Sequence, residues 1–76
     1  MNKINIPSKL VLVDRFFITQ EGTNKLLDKS YQFNAIAPFS VNVYASETEA
    51  EASALIVSQN LTDCSIIKIP RYIKKN

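Results

Sequence analysis

The chain has 76 residues, with nine Lys and Arg against seven Asp and Glu for a formal charge of +2, and it contains no His, no Trp, one Cys and one Gly. A chain this short makes one small domain, residues 1–76, and buries only about 60% of its unfolded surface. With 46% apolar and 21% charged residues it is too apolar for disorder, while the lone Cys64 excludes an intramolecular disulfide and the missing histidine removes the commonest catalytic base.

Met1 to Pro7 holds no apolar run of signal-peptide length, and the uncharged stretch 30–46 is broken by Asn, Ser and Gln. A cytoplasmic location without a membrane segment is therefore expected, and Asn60-Leu61-Thr62 lacks the secretory route that would make it a glycosylation site. Ile4 to Ile6 suggests a short edge strand. Lys9 to Thr19 (KLVLVDRFFIT) is rich in strand-forming residues. Leu10, Leu12, Phe16 and Ile18 share one face, and Val11, Val13 and Phe17 share the other. A strand apolar on both faces is central and doubly covered, or offers one face to a partner; Asp14-Arg15 could also mark a bulge.

Gln20 to Asn24 reads as a turn around Gly22, the only residue that takes positive φ without steric cost, with a return strand starting between Lys25 and Lys29. Residues 30–37 alternate, Tyr31, Phe33, Ala35 and Ala37 against Ser30, Gln32 and Asn34. Residues 39–45 alternate again after Pro38, Phe39, Val41, Val43 and Ala45 against Ser40, Asn42 and Tyr44. Both predict strands. Ser46 with Glu49 predicts a capping box and a helix to Gln59 or Asn60. One helix stripe holds Ala50, Ala54, Val57 and Leu61, the other Ala52, Leu55 and Ile56; the first would allow close approach to a sheet, leaving the second spare. Asp63 to Ile69 predicts a last strand ended by Pro70, and residues 71–76 a basic tail. The expected fold is α+β: a small antiparallel sheet of four to five strands in the order β-β-β-α-β, one helix on one face, and the second face open.

Catalytic parts are scarce. Cys64 has no histidine to activate it and reads as a small buried hydrophobe. Asp14, Asp28 and Asp63 are the only aspartates, and the last two stand in turn contexts that need Asp for local hydrogen bonds. One glycine forbids a dinucleotide fingerprint, no P-loop or zinc spacing occurs, and neither enzyme activity, a metal nor a cofactor is expected. Two binding surfaces are expected instead. The first is an uncharged sheet face carrying Gln32, Asn34, Ser40, Asn42 and Tyr44, which loses little on desolvation and suits a protein partner. Homo-oligomerisation through this face or the spare helix stripe would also enlarge the small core. The second is the basic end, Lys68, Arg71, Tyr72, Lys74 and Lys75, to which Lys9, Arg15, Lys25 and Lys29 could add, facing a nucleic acid. The three glutamates Glu47, Glu49 and Glu51 complement the helix dipole.

In its brevity, its Lys-, Asn- and Ile-rich composition and its lack of catalytic parts, the chain looks like small phage-encoded accessory proteins, including inhibitors of bacterial defence such as anti-CRISPR proteins. That resemblance rests on no motif and assigns no residue. It implies a non-enzymatic protein-binding module acting in a host cytoplasm by occluding a partner's surface; the alternative is a small nucleic-acid-binding protein using the basic end.

Overall fold

The computed structural model describes residues 9–75. Its elements are β1 (Lys9–Gln20), β2 (Leu26–Leu27), β3 (Phe33–Asn34), α1 (Glu49–Ser58) and β4 (Cys64–Lys75). The fold is a four-stranded antiparallel sheet, ordered β3-β2-β1-β4, with a single helix. The strand predicted at Ile4 to Ile6 lies outside the described residues.

β1 and β4 are the two long strands, and they pair without interruption from Lys9 opposite Lys75 to Gln20 opposite Cys64. No bulge forms at Asp14-Arg15. The last strand does not end at Pro70, and residues 71–75 are strand rather than tail. The register explains why. Both backbone polar groups of Phe16 bond to Ser46 at 2.9 Å, on the side away from β4. Groups alternate sides along a strand, so the residues of β4 opposite Phe16 and Asp14, which are Lys68 and Pro70, aim their backbone outward. The N–H that proline lacks is one the ladder never uses.

Only the inner half of this ribbon is covered. On one face Ile18, Leu27 and Ala52 are buried, with Phe16, Tyr44, Leu55, Ile56, Cys64 and Ile66 around them. On the other, Phe17, Leu26 and Val43 are buried, with Ile36, Ala45, Ile67 and Ile69 against them. The helix caps the first face; the second is not open, because the chain from Ile36 to Ala45 folds over it. β1 is thus central and doubly covered where its apolar residues demand it.

The helix packs by the stripe Ala52, Leu55, Ile56, while Ala50, Ala54 and Val57 face solvent, Val57 being 75% exposed. The sequence leaves open which stripe faces the sheet; the packed one carries the larger side chains, which bury more area than alanines would, and Leu61 of the other stripe packs beside it. The capping box also sits two residues later than Ser46 predicts. Thr48 is the N-cap: its hydroxyl accepts from the Glu51 N–H at 3.1 Å, and the Glu51 carboxylate accepts from the Thr48 N–H at 3.2 Å. Ser46 is instead buried against β1, its hydroxyl donating to the Thr48 carbonyl at 2.8 Å.

The two segments with the cleanest alternation are mostly not strands. Residues 30–37 contribute only Phe33–Asn34, and residues 39–45 form turns with one bridge, Val43 to Asp28. Tyr31 takes φ 63°, which breaks any extended run through it. Only part of the alternating apolar set of residues 39–45 meets the sheet: Val43 is buried and Ala45 half-buried against it, while Phe39 and Val41 stay exposed.

The helix orientation gives a direct expectation. Ala52→Lys places a charge in a fully buried position and should abolish cooperative folding, while Val57→Lys should move stability by no more than about 0.5 kcal/mol. Urea titration followed by circular dichroism measures both; equal effects would show that the helix face is wrongly placed.

Candidate binding surfaces

The five residues expected on an uncharged sheet face do not share one. Gln32 and Asn34 belong to a turn organised by Asp28, whose carboxylate accepts from the N–H groups of Ser30 and Gln32, both at 2.9 Å, and from the Asn34 side-chain amide at 2.7 Å. The Ser40 hydroxyl accepts from the Asn42 N–H at 3.1 Å, and the Asn42 carbonyl accepts from the Lys29 N–H at 2.8 Å. Tyr44 is half-buried in the helix-side cluster. Of the five side chains, the Asn34 amide and the Ser40 hydroxyl are engaged in these turn hydrogen bonds.

The Asp28 turn carries a pH dependence. The bond from the Gln32 N–H, helped by those from Asn34 and Ser30 and opposed by partial desolvation, holds the Asp28 carboxyl below its ordinary range. A carboxyl lowered by folding contributes stability that is fully present above its unfolded pKa, about 3.9, and is lost as pH falls through the folded value. Asp28→Asn should therefore lower the urea midpoint at pH 7 and flatten its fall between pH 5 and 3. An unchanged acid limb in the variant would remove Asp28 from that role.

Cys64 is half-buried, and desolvation, with the nearby charges of Glu21 and Asp63, pushes its thiol pKa up, so thiolate is scarce at neutral pH. Among the described residues no group of three His, Cys, Asp or Glu side chains could hold a metal ion, and no helix is long and apolar enough to cross a membrane.

The basic end is organised differently. None of residues 9–15 or 70–75 joins either core cluster, so the outer half of the β1–β4 ribbon projects beyond both layers. Charge is sorted in the same way. Residues 9–15 and 70–75 hold five cations (Lys9, Arg15, Arg71, Lys74, Lys75) against Asp14. Residues 16–69 hold six acids against Lys25, Lys29 and Lys68. The net charge of +2 thus conceals a ribbon at +4 and a body at −3, with Lys3, outside the described residues, supplying the remaining charge. Lys68 lies 4.0 Å from Asp14, an exposed pair that screens little of this.

The ribbon's two faces differ. Leu10, Leu12 and Tyr72 lie on the helix side beyond the helix, exposed by 61, 58 and 68%. On the opposite face Arg15 and Arg71 point the same way, diagonal across the strand pair, with Ile69 opposite Arg15 and Val13 opposite Arg71. Lys29 and the chain from Phe39 to Ala45 close a hollow of about 330 Å³ over the two arginines. Phe39, 77% exposed, stands at its rim and also lines a second hollow of about 340 Å³ with Pro38, Ile69, Pro70, Arg71 and Tyr72. The basic end as read from sequence includes Lys68, Arg71, Tyr72 and Lys74 but places none of them opposite β1 and misses Phe39 altogether. The Pro38-Phe39 pair at a turn, an aromatic with no strand to bury it, was the available signal. Compared with known proteins, the chain matches no family model, no curated protein and no solved structure.

Proposed function

We propose that the protein is a small nucleic-acid-binding protein that holds a phosphate backbone along the projecting β1–β4 ribbon. The carrying observation is the charge separation: four net positive charges lie on a narrow two-stranded arm, with a net negative charge on the body behind it. A polyanion meets the arm first, and repulsion by the body orients the approach. Backbone contacts of this kind carry no sequence code, so broad specificity and steep salt dependence follow.

Exposed Leu10, Leu12 and Tyr72 favour a second reading, a protein-binding module whose ribbon buries this apolar patch against a partner and so occludes it, as an inhibitor of a host defence complex would. The apolar patch at the ribbon tip is the observation that favours it.

Fluorescence anisotropy against mixed-sequence single- and double-stranded DNA and RNA, across a salt series, separates the two. Nucleic-acid binding predicts saturable titrations at low salt. It also predicts that Lys9→Gln with Lys74→Gln weakens binding and lowers the slope of log K against log salt by about 0.7–0.9 per charge removed. Glu49→Gln on the body should not weaken it. Absence of binding at low salt overturns this reading. Loss of partner capture in Leu10→Ser with Leu12→Ser, with nucleic-acid binding absent, would establish the second.

A further inference from the structure

We infer that the two hollows flanking Phe39 form a seat for one unpaired nucleotide, with its phosphate among Arg15, Lys29 and Arg71 and its base against the Phe39 ring. The inference rests on the nucleic-acid reading and narrows it to single strands at this point of the ribbon.

The cationic hollow is assembled from three distant parts of the chain, β1, the turn after β2, and β4, and it holds three positive side chains. Arg15 and Arg71 lie on one face of the same strand pair, at diagonal positions, and both line the hollow. The one acid against the group is Glu47, 4.0 Å from Arg15 and with a side chain 79% exposed, which neutralises little. Guanidinium groups match phosphate oxygens by paired N–H donors, and Lys29 adds a point charge. The second hollow is of opposite character, bounded by Pro38, Phe39, Ile69 and Pro70. Phe39 and Arg71 are common to both, so a charged site and an apolar one share a wall. A nucleotide has that same division, an anionic phosphate joined to a flat apolar base. A ring that is 77% exposed offers a face for stacking, which a base inside a duplex cannot reach.

The test compares wild type, Phe39→Ala, Arg71→Gln and Lys74→Gln on three anisotropy probes: an oligothymidylate, an abasic oligomer of the same length and charge, and a duplex. Wild type should bind the oligothymidylate about tenfold more tightly than the abasic oligomer. Phe39→Ala should erase that difference by weakening only the first. Arg71→Gln should weaken both single strands and reduce the salt slope by about 0.7, whereas Lys74→Gln, outside the hollows, should leave the base preference intact. Equal binding of intact and abasic strands by wild type, or Phe39→Ala without effect, overturns the nucleotide seat while leaving backbone binding by the ribbon in place. No binding of any probe at low salt overturns both. Circular dichroism of Phe39→Ala should match wild type, since the side chain is exposed and lies outside both core clusters.

Discussion

Everything in this molecule hangs on the pairing of β1 with β4. The two strands meet over their full twelve residues, yet Gln20 and Cys64, the closest partners in sequence, are separated by the whole of the intervening chain. Closing such a loop costs entropy that only a long ladder and its two buried faces offset. Phe17 and Ile18 sit at consecutive positions of β1, so one strand supplies a fully buried side chain to each face. The remaining chain has one structural task, which is to cover both. The helix does so with Ala52, Leu55 and Ile56, and the Ile36–Ala45 segment with Val43 and Ala45.

That division of labour sets the charge geometry. Two short covering layers cannot reach the end of a strand some 40 Å long at about 3.4 Å per residue. Among the described residues, nothing therefore covers the outer half of the ribbon. The acids gather where the covering layers are, in the helix's first turn and the turns at Glu21, Asp28 and Asp63, each position one that favours a carboxylate for local reasons. Five cations stay on the ribbon, while Lys25, Lys29 and Lys68 lie on the body. The separation of charge follows from the separation of covered and uncovered strand.

The parts of this design that depend on side-chain periodicity within one element are legible in the sequence. β1, with its two faces assigned residue by residue, the turn at Gly22, the single helix and the β-β-β-α-β order can all be read there. The failures have physical causes. SETEAE contains two overlapping capping boxes, and only the bonding of Ser46 to Phe16 selects Thr48 as the cap. Residues 30–34 alternate like a strand, but the Asp28 carboxylate takes the N–H groups that a ladder would use, and Tyr31 turns left-handed at φ 63°. Phe39 to Ala45 alternates like a strand but forms turns, and of its apolar residues only Val43 and Ala45 meet the sheet. Whether Pro70 ends β4 depends on which way its nitrogen points, and that is fixed by pairing with a strand more than fifty residues earlier. The candidate seat at Phe39 was hidden for the same reason, since Arg15, Lys29 and Arg71 converge only through the register.

Among the described residues the outer edge of β4 pairs with no strand, and this limits how the ribbon can engage anything. An unpaired strand of this length is a template for another chain, whether a second copy or a peptide adding a strand. Here that edge carries Pro70 near its middle, at a position whose backbone faces outward, and Lys68 and Lys74 on either side. A strand docking there would meet a missing donor and, from a second β4, like charges brought together. The cations that give the ribbon its field therefore also discourage backbone pairing along it. What remains for recognition are the two faces and their side chains, the arginine face beside Phe39 and the leucine face beside Tyr72. A ligand of this protein is accordingly one recognised by charge and by flat or apolar surface, and not by the hydrogen bonds of an added strand.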